Sequence, residues 1–326
     1  MTAVIASPFR GVIRTIAGDI PPEHLGWCQC HEHIFVADGI PARLNPALRA
    51  DDEEKSFQDL LLYRNAGGNA IVDAQPGGCG RMPEALHRLS LASGVHIIAS
   101  TGYHLRRFYA DDALDMTLGE DTLRERYIGE INEGMLQGDE RTGCKAGIVK
   151  IAVEPEEPSR VGMRNRLQAA IGAAAITGCP LLAHFEPGTD VFMVLKLMSD
   201  AKVAPHRLIA CHLDRTHRDT AYHLDVVNAG AYLEYDSINR LKYVSHEEEL
   251  GRIRSMLSAG YIGQMLLSLD TTNERLASYG GYMGLDYLLS VYRSMLLKAG
   301  VGETAIDTMM RSNPQRALIK VKEKEL

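Results

Sequence analysis

The sequence predicts a single (β/α)8 barrel, a TIM barrel, that occupies all 326 residues of the chain. Short apolar segments recur along the sequence, and longer amphipathic stretches separate them. Segments that are apolar throughout are typical of parallel strands covered on both faces. No change in composition marks a boundary between two domains. Eight consecutive strand–helix units therefore favour one closed barrel over a doubly wound sheet.

Each predicted strand is an apolar run followed by turn residues. In chain order the strands are residues 27–36, 69–74, 95–101, 147–152, 180–184, 207–212, 231–235 and 264–270. The helices predicted between them include residues 82–93, 123–137, 161–177 and 222–229. Glycine follows these stretches at Gly94, Gly138, Gly178 and Gly230. Because glycine tolerates the left-handed conformation that closes a helix, each is a predicted helix end.

Composition and charge exclude several kinds of partner. Hydrophobic residues make up 45% of the chain and charged residues 24%, which suits a folded domain with a full core. The formal net charge is −7 and no basic run occurs, so nucleic acid is not an expected partner. No run of about 18 apolar residues suggests a membrane span. A small-molecule substrate is the remaining expectation.

The cysteines and the amino-terminal segment predict the cellular compartment. The six cysteines are scattered and form no repeated CxxC pair, which indicates free thiols in a reducing environment. Residues 1–18 lack the continuous apolar run of a secretion signal. We therefore expect a cytoplasmic protein.

Polar side chains with metal-binding ability lie at or near the carboxyl ends of the predicted strands, where catalytic residues of barrels lie. These residues are His31, His33, Lys150, His184, His212 and Asp270. In His31-Glu32-His33 the period of two places both imidazoles on one strand face, the barrel interior, and Glu32 toward the helices. Paired imidazoles are natural ligands for a divalent transition metal, although an isolated HxH also occurs among structural histidines.

The remaining members of this set have structural alternatives as well. His184 and His212 each end an apolar strand, where a single histidine often bonds a carbonyl, but two together favour metal ligands. Asp270 closes MLLSLD, and a buried carboxylate needs a cation unless it caps the next segment. Lys150 lies within GIVKIA, where burial disfavours its cation and leaves a neutral amine able to form a carbamate. Alternatively, its ammonium group reaches solvent from the strand end.

The combination of these motifs resembles the phosphotriesterase family of the amidohydrolase superfamily. The resemblance runs from about residue 12 to 318 and is carried, in order and spacing, by GDIPPEHLGWCQCHEHIFV, KAGIVKIAVE, PLLAHFEPG, LIACHLDRT and LLSLDTTNERLASYGG. It implies two divalent metal ions, usually zinc, and a homodimer. His31, His33 and Asp270 would hold one ion and His184 and His212 the other. Carboxylated Lys150 would bridge the two ions, and Asp270 is also the predicted general base.

The predicted function is a metal-dependent lactonase for a sugar lactone, with or without a phosphate group. Ser237 stands where organophosphate hydrolases of this family have a proton-relay histidine, which disfavours the alternative of a phosphotriesterase. A carboxylesterase, a barrel that binds metal without catalysis and a metal-free acid–base enzyme stay open, because barrels host many chemistries.

Substrate contacts are expected in three loops. Arg240, Lys242, Arg275 and Tyr279 lie after strands seven and eight, where barrels often bind phosphate and where the sequence resembles the phosphosugar-lactonase branch. A solvated loop is the alternative. Tyr103 and His104, after strand three, are expected to line the pocket, the alternative being packing within a surface loop.

Three neighbouring residues have predicted supporting roles. Asp73 is expected to support the histidines from behind. Asp214 would carry a proton away from the site or pair with Arg215. Cys30 is expected to point away from the interior by strand alternation and to serve only in packing.

Overall fold

The structure, a computed structural model, describes residues 11–155, 161–217 and 219–321. Of the amino-terminal segment predicted to lack a secretion signal, residues 1–10 lie outside the described residues. The barrel strands β1 to β8 are Cys28–Glu32, Ala70–Asp73, His96–Gly102, Ile148–Val153, Leu181–Phe185, Leu208–Cys211, Tyr232–Tyr235 and Met265–Leu267.

Each strand pairs in parallel with the next one along the chain, from β1 to β8. Hydrogen bonds between β1 and the residues that follow β8 close the barrel, and two of them involve His31. The backbone N–H of Asp270 donates to the carbonyl of His31 at 3.1 Å, and the His31 N–H donates to Oγ of Ser268 at 3.0 Å. The predicted (β/α)8 barrel is confirmed.

The principal helices, one after each strand, surround the barrel. Helices α1 to α8 are Glu53–Asn65, Pro83–Ser93, Glu120–Asn132, Val161–Thr177, Val191–Asp200, Thr220–Asn228, His246–Ser258 and Arg293–Lys298. Shorter helices are Ile40–Leu44, Leu114–Thr117, Leu213–Thr216, Glu303–Asp307 and Asn313–Ala317. An antiparallel hairpin of Ile13–Thr15 and Gly18–Ile20 precedes β1.

Two predicted strands are shorter than expected, because side chains from other segments bond their ends. Strand β1 stops at Glu32, and the N–H of Ile34 bonds Oδ2 of Asp73 at 2.9 Å. Strand β8 stops at Leu267, and Asp270 adopts a left-handed φ of 49°. His33 and Asp270 therefore lie on loops beyond the strands, at the same end of the barrel.

One predicted helix is also corrected. Helix α3 ends at Asn132, and the strands Leu136–Gln137 and Glu140–Arg141 form a small hairpin. Gly138, with φ 64°, lies in that turn instead of closing a helix. The N–H of Leu136 bonds Oε1 of Glu130 at 3.1 Å, which turns the chain away from the helix axis.

The described core has two layers. The inner layer fills the barrel with side chains such as Val72, Ile148, Leu182 and Ile209. Cys30 belongs to this inner layer, so its predicted outward direction is wrong. The pairing register of β1 against β2 shifts between Gln29 and Glu32, which breaks the simple alternation.

Two further findings concern the cysteines and the helices. All six cysteines are buried free thiols. Among the described residues, no helix combines the length and the apolar character needed to cross a membrane.

Replacing Ser245 with alanine should destabilise the fold by about 1 kcal/mol. Ser245 caps α7: its Oγ accepts from the N–H of Glu248 at 3.2 Å, and Oε2 of Glu248 accepts from the N–H of Ser245 at 3.1 Å. Urea unfolding measures the change in the free energy of unfolding. Ser255→Ala on the same helix is the control, because Ser255 bonds only a helix carbonyl at the surface. Equal stability of the two variants would contradict the capping role.

Candidate active site

The predicted metal ligands converge at the carboxyl ends of the strands, beside a cavity of about 620 Å³. His33, His184 and Asp270 line this cavity, whereas His31, Lys150 and His212 contact members of the set and are almost fully buried. The six side chains come from β1, β4, β5, β6 and β8 or from the residues that follow them. The barrel geometry therefore brings together residues up to 239 positions apart in sequence.

His31, His33 and Asp270 form one group of potential ligands. Nε2 of His33 lies 3.4 Å and Nε2 of His31 lies 3.8 Å from Oδ1 of Asp270. One ligand atom from each of the three residues lies within 4.8 Å of the others, close enough to share one ion. Imidazole nitrogen and carboxylate oxygen are ordinary ligands of zinc.

His184 and His212 form a second group. Nδ1 of His184 lies 2.7 Å from Nε2 of His212. The opposite ring nitrogens bond carboxylates: Nε2 of His184 lies 2.8 Å from Glu186 and Nδ1 of His212 lies 2.7 Å from Asp236. The contact with His184 lowers the pKa of Glu186, so its carboxylate is ionised and can only accept a hydrogen bond, which places the His184 ring proton on Nε2. The lone pair on Nδ1 of His184 then faces His212, and a cation between the two rings fits this arrangement.

Lys150 lies beside the first group. Its side chain is fully buried, and Nζ is 3.2 Å from Nε2 of His31. Burial lowers the pKa of the Lys150 amine, because the charged form loses its hydration. Gly102, with φ 96°, lets β3 approach Lys150 closely, since a Cβ there would clash with the Lys150 carbonyl oxygen. Lys150 therefore points into the barrel without reaching solvent.

Burial also keeps three of the site imidazoles neutral. It lowers the pKa of His31 and His212, and it lowers the pKa of His184 to about 4 although Glu186 opposes this shift. Neutral imidazoles present the lone pairs that a metal requires. The donors available at neutral pH thus suit divalent cations at both groups.

Two arginines bind Asp270. Nη1 of Arg215 lies 2.9 Å and Nη2 of Arg240 lies 3.3 Å from Oδ2 of Asp270. Burial alone would raise the pKa of Asp270, but the two guanidinium groups outweigh it and hold that pKa well below the usual range. Asp270 is therefore ionised at neutral pH.

Carboxylates behind the ligands fix the surrounding backbone. Glu32 was expected to face the helices, and its carboxylate accepts from the N–H groups of Leu269 and Thr271 at 2.8 and 3.0 Å. It therefore connects β1 to the segment after β8. Asp73 accepts from the N–H groups of Ile34 and Gln75, which holds the chain next to His33.

Three of the six predicted substrate contacts line the cavity, namely His104, Arg240 and Lys242. The structure corrects the expectation for Tyr103, whose fully buried ring lies outside the barrel, 5.3 Å from the guanidinium of Arg166. It also corrects Tyr279, whose hydroxyl bonds the backbone of Asp52.

Arg275 has a structural role instead of lining the main cavity. Its guanidinium donates to the carbonyls of Leu269 and Ile238, the latter at 2.7 Å. It does line a smaller adjoining cavity of about 260 Å³, together with Arg240 and Lys242. The predicted cationic cluster therefore exists, but Arg275 supports the loops from behind.

Sequence reasoning missed Asp236, Glu186 and the role of Arg215. Asp236 follows β7 directly, so the rule that polar residues mark strand ends could have found it. Arg215 was considered only as a partner of Asp214. Asp214 instead accepts from the N–H and Oγ of Ser237 at 2.7 and 3.1 Å, and Arg215 bonds Asp270.

The family model of the phosphotriesterase family matches residues 11–318, so the chain belongs to that family. The predicted assignment to this family of hydrolases is confirmed. The chain is 29% identical to the phospho-furanose lactonase of Mycoplasmopsis synoviae (strain 53), covering 94% of this chain and 91% of that protein. It is 27% identical to the N-acetyltaurine hydrolase of Danio rerio, covering 96% and 99%.

A solved structure supports the same relationship. The lactonase from Listeria monocytogenes superimposes with a TM-score of 0.88 and 26% identity, covering 95% of this chain and 100% of that chain. The similarity therefore spans the whole barrel and not an isolated motif.

Proposed function

We propose that this chain is a metal-dependent lactonase whose substrate is a sugar lactone carrying a phosphate group. The observation that carries the proposal is the position of Arg240 and Lys242, which line both the main and the adjoining cavity. Among the described residues Lys242 has no carboxylate partner, so its charge is available to a ligand. Cationic side chains of this kind suit a phosphate.

The metal centre is part of the proposal. His31, His33 and Asp270 would hold one divalent cation, His184 and His212 the other, and carboxylated Lys150 would bridge them, with zinc as the expected metal. Two cations bound there would supply an activated water molecule and polarise the lactone carbonyl. Asp270, kept ionised by Arg215 and Arg240, would accept the proton of that water.

The remaining residues would orient the substrate. Lys242 and Arg240 would hold the phosphate at one side of the cavity. His104 lines the same cavity beside His33 and His184, with ring centroids 6.2 and 5.2 Å away. The lactone carbonyl would then lie between these groups, above the two histidine pairs.

A lactone panel tests this function. The protein is reconstituted with zinc or manganese in bicarbonate and assayed on matched lactones with and without a phosphate group. The proposal expects hydrolysis of lactones with a preference for the phosphorylated member. Activity on aryl esters alone would favour a carboxylesterase, and activity on phosphotriesters alone would favour a phosphotriesterase. No hydrolysis of any substrate would favour a barrel that binds metal without catalysis.

Lys242→Ala should raise KM for a phosphorylated lactone by about 10- to 100-fold, because a charge-assisted contact contributes about 1.5–3 kcal/mol. The KM for the phosphate-free lactone should stay unchanged. Steady-state kinetics on both substrates measures the difference. Lys196→Ala is the control, since Lys196 is exposed on α5 away from the cavity. Equal effects on the two lactones would contradict a phosphate-binding role.

A second candidate is hydrolysis of the amide bond in a small N-acyl compound with an anionic group. The observation that favours it is the similarity to N-acetyltaurine hydrolase over 96% of this chain. Arg240 and Lys242 would bind the sulfonate or carboxylate group of such a compound. Including such amides in the panel separates the two candidates.

The proposal also includes a location in the cytoplasm and assembly into a homodimer. Six buried free thiols are in keeping with a reducing compartment. Light scattering coupled to size exclusion measures the oligomeric state, and a mass of one chain would contradict the homodimer.

A further inference from the structure

We infer that Glu186 is a positioning residue that fixes the tautomer and orientation of His184 and thereby sets the metal affinity of the His184–His212 pair. The inference rests on the proposed function in one respect, namely that the two histidines hold a metal. It assigns a role to a side chain that the motif-based ligand set does not include.

The backbone of Glu186 is held on both sides. It follows β5 directly, and its N–H donates to the carbonyl of Val153 at 3.0 Å. Its own carbonyl accepts from Oγ1 of Thr189 at 2.6 Å and from the Thr189 N–H at 3.2 Å. The side chain therefore leaves a fixed point of the loop, and Oε1 reaches Nε2 of His184 at 2.8 Å.

This contact determines which nitrogen of His184 is free. An imidazole that donates from Nε2 to a carboxylate keeps a lone pair on Nδ1. Nδ1 is the atom that faces Nε2 of His212 at 2.7 Å. Without Glu186 the ring could carry its proton on Nδ1 and donate it to His212, which would satisfy both histidines without a cation. Glu186 thus disfavours the arrangement that competes with metal binding.

The two metal groups differ in this respect. His184 and His212 each have a carboxylate within 2.8 Å of the outer nitrogen. The Nδ1 atoms of His31 and His33 are buried without a hydrogen-bond partner among the described residues. Loss of an outer carboxylate should therefore affect the His184–His212 pair selectively.

Glu186 also differs from Asp236 in its access to the cavity. The Asp236 side chain is fully buried, whereas 26% of the Glu186 side chain is exposed. Oε1 of Glu186 lies 3.7 Å from Nη2 of Arg107, which lines the same cavity. An interaction with Arg107 alone is the competing explanation for Glu186, and it predicts no effect on metal binding.

The experiment measures metal binding directly, apart from activity. Wild type, Glu186→Ala and Glu186→Gln are loaded with Zn²⁺, dialysed against a buffer of fixed free zinc and analysed for metal per chain. Co²⁺-loaded samples are compared by their visible absorption. Glu274→Ala is the matched control, because Glu274 lines the same cavity, the substitution removes the same charge, and Glu274 bonds no histidine among the described residues.

Wild type and Glu274→Ala should retain two ions per chain. Glu186→Ala should lose one of them. The affinity of the His184–His212 pair for that ion should fall by about 10- to 100-fold, which is the usual contribution of a hydrogen-bond partner of a metal ligand. Glu186→Gln should recover part of the affinity, because its amide oxygen still accepts from Nε2–H. The cobalt spectrum should lose the contribution of one site only.

Three outcomes overturn the inference. Glu186→Ala could retain both ions with unchanged affinity, it could lose both ions together, or Glu274→Ala could match it. A wild-type chain that binds no metal under any loading condition contradicts the proposed function itself, and it is recognised before the variants are compared.

Discussion

Lys150→Ala is expected to lose bound metal and hydrolytic activity together, with kcat/KM reduced by about 10³-fold or more, as when a principal electrostatic group of a site is removed. The side chain is fully buried, 3.2 Å from His31, in a region where burial disfavours its cation. A carboxylated lysine would supply an anionic oxygen to each ion, which alanine cannot do. Metal analysis and steady-state kinetics on the same preparation measure both effects.

The carbamate can be tested separately from the lysine. Metal-free wild type reconstituted without carbon dioxide should regain less activity than the same protein reconstituted in bicarbonate. Lys145→Ala, which changes a lysine just before β4, is the control and should behave as wild type. Full metal occupancy and normal turnover of Lys150→Ala would refute the bridge.

A stability measurement distinguishes function from folding at Lys150. Removing a buried amine that has no carboxylate partner among the described residues takes away a desolvation cost. Metal-free Lys150→Met should therefore be at least as stable to urea as the metal-free wild type, while it loses activity. A large loss of stability would assign Lys150 a structural role.

Asp270→Asn is expected to reduce kcat/KM by about 10³-fold and to destabilise the metal-free protein by about 3 kcal/mol. The carboxylate is 3.4 Å from His33 and pairs with Arg215 and Arg240. The amide provides a poorer ligand and no base, and it removes the carboxylate that Arg240 pairs with, while Arg215 retains only Asp236, 3.9 Å away. Kinetics after zinc loading and urea unfolding in chelator measure the two effects independently.

Asp225→Asn is the control for this variant, because Asp225 lies exposed on α6 away from the cavity. It should change neither turnover nor the free energy of unfolding by more than a few tenths of a kcal/mol. Turnover near the wild-type value in Asp270→Asn would exclude Asp270 as both ligand and base. An unchanged free energy of unfolding would show that the two arginines find other partners.

The closed barrel and the set of potential metal ligands were accessible from the sequence. Parallel strands buried on both faces require runs of apolar residues, so the strands are visible in local sequence. His184, His212 and Asp270 interrupt this pattern at or near the ends of such runs. A polar residue at such a position indicates a function or a specific polar partner. The prediction that they meet follows from barrel topology, which brings the carboxyl ends of all strands to one face.

Local alternation failed where the backbone is irregular. Cys30 was assigned to the wrong direction because the register of β1 shifts between Gln29 and Glu32. Asp270 and His212 adopt left-handed φ angles of 49° and 68°, which a strand pattern does not contain. These irregular backbone conformations occur at the carboxyl end of the barrel, where loops replace the regular hydrogen bonding of the parallel sheet.

The sequence by itself determined the strands, the barrel and the types of donor atom present, because each depends on the burial of a short segment. Only the tertiary structure decided which loop side chains face the cavity. Arg275 and Tyr279 turn away from it because their polar atoms bond the carbonyl of Ile238 and the backbone of Asp52, both remote in sequence. Arg215 and Asp236 enter the site through contacts between different loops. Such partners have no local pattern, since the closed barrel alone brings them within hydrogen-bonding distance.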